Sequence, residues 1–222
     1  MVQPAVLFDV DGTLVDSNFH HVAAWHRAFL DVGIEVPCWR ILGLIGRSGD
    51  ELVRTLLGDD RAHTHGTQVK KLHTSYFVDS AALVRRLPGT HELLEAIAER
   101  GWRAVLATSA GPEELAVLRD TLDAEELISA VTSAADTERA KPDPDIVTTA
   151  LQRIDADPAD AIFLGDAVWD MKAARRAGVP AAAVLSGGIG REALEHAGAA
   201  AVYDELLDVL AHIEEFCQLL GT

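Results

Sequence analysis

The sequence is short of several things, and each shortage excludes a class of function. It has two cysteines in 222 residues, Cys38 and Cys217. They form no CxxC pair and no zinc-ligand spacing, so neither a disulfide framework nor a thiolate zinc site is expected. A reducing, cytoplasmic setting is the expectation that follows. Positive charge is scarce: 19 Lys and Arg stand against 35 Asp and Glu, for a formal net charge of −16. A surface that negative repels nucleic acid and anionic membranes, so neither is an expected partner. It also repels phosphate esters, so any phosphate site must carry its own local cations. No stretch approaches the roughly 20 apolar residues of a membrane span. The opening MVQPAVLFD puts no basic stretch before its short apolar run, which is not the pattern of a secretory signal. Internal repeats and low-complexity linkers are absent, and oligomeric state leaves no readable mark.

What is present is a core-forming composition, with 49% hydrophobic residues, enough for a packed interior. A chain of 222 residues holds one generous domain or a core with an insertion. Apolar runs that read as buried strands recur at 5–8, 103–109, 128–134, 161–166, 181–186 and 200–204. Helix patterns lie between most of them. Residues 90–100 offer Thr90 as an N-cap and Gly101 as a stop. Pro112 follows Gly111 as a first helical residue, and Asp143-Pro144 opens the next helix in the same way. The pattern at 167–177 stops at Gly178-Val179-Pro180. Short apolar strands alternating with helices predict an α/β protein with a parallel sheet covered on both faces.

One segment breaks the rhythm. Residues 18–87 contain helical patterns and no convincing buried strand. Ser48 and Glu51 stand at capping-box spacing before an apolar run. Pro88-Gly89 marks the return to the core. The segment reads as a helical insertion, dividing the chain into a core (1–17 and 88–222) and an inserted unit (18–87). The HTH at 63–65 is expected in a polar loop, solvated and without a third metal ligand.

In an open parallel sheet, ligands bind beyond the carboxyl ends of the strands. The first apolar run ends in Asp9 and Asp11, and the second in Thr108 and Ser109. A loop presents Lys141-Pro142, and a later run ends in Gly165-Asp166 with Asp170 four residues on. Four chain regions therefore offer acid, hydroxyl, amine and acid to one face. Carboxylates repel one another and are costly to desolvate, so a carboxylate cluster with no nearby protein cation implies a hard metal such as Mg²⁺. With a lysine and a hydroxyl beside it, the site suits phosphoryl transfer. One carboxylate serves as nucleophile and a second moves protons. Asp9 directly follows the apolar run, which aims it, while Gly12 turns the chain and sets Asp11 apart.

The stretches FDVDGTLVDS, VLATSA, AKPDPDI and FLGDAVWDMKAARRAG, in that order, resemble the haloacid dehalogenase-like superfamily of phosphatases and phosphomutases. The resemblance covers nearly the whole chain. It implies a Rossmann-like α/β core with an inserted α-helical cap domain. It implies Asp9 as nucleophile and metal ligand, and Asp11 as general acid/base with its backbone carbonyl on the metal. Thr108 and the Ser109 amide would hold phosphoryl oxygens beside the Gly12 turn. Lys141 would neutralise charge, and Asp166 and Asp170 would hold Mg²⁺. The dehalogenases that named the superfamily lack an acid at the position of Asp11, which favours phosphate chemistry here. HHVAAW (20–25) and IGRSGDEL (45–52) resemble the phosphoglycolate-phosphatase and beta-phosphoglucomutase branch, making His21, Gly46, Arg47 and Lys71 candidate cap or substrate residues. Trp169 reads as packing. The expected activity is a Mg²⁺-dependent phosphatase acting on a small phosphorylated metabolite. A phosphomutase shares every core residue and is the alternative; a phospho-accepting module without turnover fits poorly with the insertion and with a nucleophile on the first strand.

Overall fold

The computed structural model describes residues 3–220. Strand β1 (Ala5–Phe8) is buried throughout, as expected of a central parallel strand covered on both faces. Its side chains alternate between two apolar clusters: Val6 and Phe8 enter one, Ala5 and Leu7 the other. Strands β4 (Arg103–Ala107) and β6 (Ala161–Gly165) flank β1, both parallel to it. Outside them lie β5 (Ile128–Thr132) on one side and β7 (Ala181–Val184) then β8 (Ala201–Tyr203) on the other. The order β5-β4-β1-β6-β7-β8 grows outward from β1 in both directions. The sheet therefore has a topological switch point at β1, the place where α/β sheets open a crevice for ligands. The runs read from sequence at 128–134, 161–166 and 181–186 are each slightly shorter as strands, because the chain turns at their carboxyl ends.

Helices α5 (Thr90–Glu99), α6 (Pro112–Leu122), α7 (Asp145–Arg153), α8 (Val168–Ala177) and α9 (Arg191–Ala197) connect the strands, and α10 (Leu206–Ala211) and α11 (Ile213–Cys217) follow. Thr90 does not cap α5. Gly89 occupies that position, and the Thr90 hydroxyl lies 2.8 Å from both the Leu14 and Leu87 carbonyls, tying the helix start to the first loop.

The inserted segment forms α1 (Asn18–Asp31), α2 (Cys38–Leu42), α3 (Gly49–Leu57) and α4 (Asp59–Asp79) around its own apolar cluster, which includes Val22, Trp25, Phe29, Ile41, Leu52 and Val69. Ser48 caps α3 by accepting from the Glu51 N–H. The expected loop around 63–65 is instead the first half of α4. Two residues apart on a helix point about 200° apart, so His63 and His65 share no face. The helix forms there because Gly66, Val69, His73 and Phe77 make a buried seam along an otherwise polar sequence. The insertion leaves through β2 (Val15–Asp16) and returns through β3 (Arg85–Arg86), which pair antiparallel. No helix among the described residues is long and apolar enough to cross a membrane.

Candidate active site

Asp9 follows directly on β1, and its N–H donates to the Leu164 carbonyl of β6 at 2.9 Å. The carboxylate is thus seated at the switch point by the sheet itself. Lys141, fully buried, places Nζ 2.8 Å from Asp9 Oδ1 and 2.8 Å from Asp170 Oδ1. The other Asp170 oxygen accepts the Ala167 N–H at 3.0 Å, capping the start of α8. Asp166, just past β6, accepts from Thr13 Oγ1 at 3.1 Å and Asn18 Nδ2 at 2.8 Å. Gly12 lies over this pair with φ +72°; a Cβ there would meet Asn18 Nδ2 at 2.3 Å and Asp166 Oδ2 at 2.6 Å, so glycine is required on both counts.

Asp9, Asp166 and Asp170 bring carboxylate oxygens within 4.8 Å of one another, all buried. The expectation of a carboxylate cluster with no nearby protein cation does not hold: Lys141 sits inside the cluster. One ammonium against three carboxylates still leaves negative charge in excess. Burial pushes Asp9 up to about 7, with Lys141 pulling it down and Asp170 and Asp11 adding to the rise. Burial, then Asp170 and Asp9, hold Asp166 well above the ordinary carboxylate range. Burial opposes the charge on Lys141, but Asp170 and Asp9 outweigh it and keep the ammonium above its usual value. Asp170 Oδ1 accepts no hydrogen bond; its contact with Nζ is an ion pair poorly aligned for one. An all-oxygen set in which three buried carboxylates outnumber one ammonium fits a hard divalent cation.

Asp11 is placed differently. Its carboxylate is not one of the three clustered acids. Oδ1 accepts from Ser17 Oγ at 2.5 Å and contacts His21 Nε2 at 3.0 Å. His21 continues to His73, with Nδ1 and Nε2 at 3.0 Å, and His73 Nδ1 reaches Glu114 Oε1 at 3.2 Å. Burial works against the charge on His21, but Asp11 outweighs it and raises the imidazole. Burial lowers His73. Glu114 is held down to about 2: burial opposes this, but His73, His21 and Thr74 outweigh it.

A cavity of about 240 Å³ opens over these groups, lined by Asp9, Asp11, His21, Trp25, Arg47, Lys70, His73, Ser109 and Glu114 among others. The Ser109 hydroxyl donates to the Gly46 carbonyl at 3.0 Å, joining core to insertion at its rim. Thr108 lies beneath, fully buried, its Oγ1 accepting from the Ala110 N–H at 3.1 Å. Arg47 bonds Glu51 and Thr55 and lies 4.6 Å over the Trp169 ring. Trp169 is therefore a stacking platform for the insertion as well as packing. Lys71 is exposed and outside the cavity, and Lys70 lines it instead, paired with Asp50 at 2.5 Å. Successive helical residues point about 100° apart, so only one of the two lysines faces inward.

Sequence reading missed Thr13, Asn18, Lys70, His73 and Glu114. Glu114 carried a signal: it stands three residues after Gly111 and accepts that residue's N–H at 3.1 Å, a capping-box spacing. His73 carried a weaker one, since it shares the four-residue seam of Val69 and Phe77.

The haloacid dehalogenase-like hydrolase family matches residues 6–184 of the chain. A plasmid-borne phosphoglycolate phosphatase of Cupriavidus necator is 32% identical, over 91% of this chain and 89% of the relative. The crystal structure of a hydrolase from Pseudomonas syringae is 34% identical and superposes with a TM-score of 0.89, covering 96% of this chain and 98% of that one. A beta-phosphoglucomutase from Clostridium difficile, 21% identical, shares the fold with a TM-score of 0.84 over 97% of this chain and 96% of its own. With acids at the tips of β1 and β6, a buried lysine between them and this breadth of matching, the chain belongs to the haloacid dehalogenase-like hydrolase family.

Proposed function

We propose that this phosphatase hydrolyses a small phosphorylated metabolite, a phosphate monoester, in two steps through an aspartyl-phosphate on Asp9. The observation that carries the reading is the division of labour between Asp9 and Asp11. Asp9 is locked to the sheet and paired with Lys141 at 2.8 Å, whereas Asp11 opens on the same cavity from a separate set of partners. A nucleophile needs a fixed aim, and a proton carrier needs an environment of its own.

In the first step an Asp9 oxygen bonds to phosphorus. The bond from phosphorus to the ester oxygen breaks, and Asp11 donates its proton to that oxygen. In the second step Asp11 takes a proton from water as the water oxygen attacks phosphorus. Inorganic phosphate leaves and the Asp9 carboxylate is restored. Lys141 offsets the charge gathered between Asp9 and the phosphoryl group. Thr108, the Ser109 amide and the Gly12 turn hold the phosphoryl oxygens.

Asp9, Asp166 and Asp170, with the Asp11 main-chain carbonyl, are the residues that would hold Mg²⁺. When bound, the ion supplies charge neutralisation for the phosphoryl oxygens and lets three adjacent carboxylates stay ionised. Residues 18–87 act as a cap on the core of 1–17 and 88–222, keeping bulk water out and selecting the leaving group. His21, Gly46, Arg47 and Lys70 present its inner face. The free thiols of Cys38 and Cys217 accord with a reducing, cytoplasmic setting.

The C. necator relative's name supports phosphorylated small acids as a first class to try, with sugar phosphates beside them. The test is a panel of phosphorylated metabolites assayed with Mg²⁺ for released phosphate. Release from one or a few is expected. Isomerised sugar phosphate without free phosphate would move the assignment to a phosphomutase.

A further inference from the structure

We propose that His73 and Glu114 are positioning residues for Asp11, acting through His21. The proposal rests on the reading of Asp11 as the proton carrier of ester hydrolysis. Three contacts make one line: Asp11 to His21 at 3.0 Å, His21 to His73 at 3.0 Å, His73 to Glu114 at 3.2 Å. Both imidazoles are clamped by aromatic faces. Phe77 lies 3.8 Å from His21 at an interplanar angle of 6°, and Trp25 lies 3.9 Å from His73 at 11°. The rings are thereby held in plane, and only their edge nitrogens are free to bond. Both histidines are 5% exposed, so water does not substitute for a lost partner.

Each ring nitrogen carries either a hydrogen or a lone pair. The carboxylates at the two ends accept, so His21 Nε2 and His73 Nδ1 donate outward. The inner contact needs a hydrogen as well, since two facing lone pairs would repel. The two outer bonds are therefore directed toward the carboxylates, the inner one requires that one of the two rings carry both of its hydrogens, and Glu114 is the far end. Glu114 is itself pinned by the Thr74 hydroxyl at 2.8 Å and the Gly111 N–H at 3.1 Å. At the near end, Ser17 and His21 both hold Asp11 Oδ1, which leaves Oδ2 for proton transfer.

The line also crosses between units. Asp11 and Glu114 belong to the core, His21 and His73 to the insertion. It is complete only while the insertion is seated, so Asp11 takes its working orientation only over a closed chamber.

The experiment uses the full chain with Mg²⁺ and three substitutions. His73→Phe keeps the ring against Trp25 and removes both nitrogens. Glu114→Leu removes both oxygens, and Glu114→Gln keeps one acceptor. Two esters are compared: the best alkyl phosphate found in the panel, and 4-nitrophenyl phosphate, whose leaving group is stable as an anion and needs no proton. His73→Phe and Glu114→Leu should lower kcat on the alkyl ester by about tenfold or more, with KM within about threefold. The first-turnover burst of 4-nitrophenolate should change by less than about threefold. Glu114→Gln should recover most of the loss. In an Asp11→Asn background, His73→Phe should cost nothing further. Equal losses on both esters, or an undiminished loss in the Asp11→Asn background, would mean that the pair only holds the fold, and would overturn the proposal. If Asp11→Asn alone leaves alkyl-ester turnover intact, the reading of Asp11 fails instead.

Discussion

Two acidic regions meet in one cavity and solve the same problem in opposite ways. At the tip of β1, three buried carboxylates cluster where one lysine pairs with two of them, and Asp9 and Asp166 are driven up in pKa. Along the line from Asp11 to Glu114, two carboxylates bracket two imidazoles, and Glu114 is held down to about 2. The first region carries more carboxylates than cations, whereas the charges of the second are bracketed by partners within the protein. Side-chain chemistry is the same in both; the neighbours decide whether a carboxylate waits for a ligand or serves as a fixed anion.

The comparison breaks most visibly at Asp9. Asp9→Asn should lower steady-state phosphate release by at least about a thousandfold, and chelation of divalent ions should match that loss and reverse on adding Mg²⁺. Retained turnover in either case defeats the mechanism. Asp11→Asn should cost about a hundredfold to a thousandfold in kcat, measured by the same release. Lys141→Met removes the cation that pairs with Asp9 and Asp170 and should cost about 3–5 kcal/mol of stability in chelator, read by chemical denaturation.

The smallest effect is also the sharpest contrast, because the two regions have opposite pH signs. In the metal-free protein Asp9 sits at about 7 against an ordinary 3.8. The folded state keeps a proton that the unfolded chain gives up, so this contribution to stability falls as pH rises from 3.8 to about 7. Glu114 sits at about 2 against 4.5. Its contribution is present above 4.5 and is lost as pH falls toward 2. Near neutral pH in chelator, Asp9→Asn should therefore raise the free energy of unfolding and Glu114→Gln lower it, each by about 1 kcal/mol or more, read by chemical denaturation. Shifts of the same sign would erase the distinction.

The tip region was largely legible in the sequence, and the line was not. Asp9 and Asp166 each follow an unbroken apolar run, so their place at strand ends could be read from local pattern alone, and the parallel sheet followed from the same runs. Lys141 could be named, but its place beside Asp9 followed only from the family resemblance and its contact with Asp170 from nothing, since a loop lysine's reach depends on packing around α7 and α8. His73 and Glu114 lie 41 residues apart and touch only because α4 of the insertion packs on α6 of the core. That contact depends on the seam that makes residues 59–67 helical, in a stretch whose polarity reads as loop. Pairing of β2 with β3 was equally hidden, because two exposed residues such as Arg85 and Arg86 carry no periodic signal.

That small ribbon has a consequence for how the molecule can vary. The chain leaves at Val15 and comes back at Arg86, and the two stand directly opposite each other in the β2–β3 ladder. To the sheet, everything between them is a closed loop whose ends are already joined. Lengthening such a loop is thermodynamically mild: each doubling adds only about 0.6 kcal/mol of closure entropy. The sheet is thus insulated from the size of what it carries, and the segment between Asp16 and Arg85 can change length without altering the register of β1.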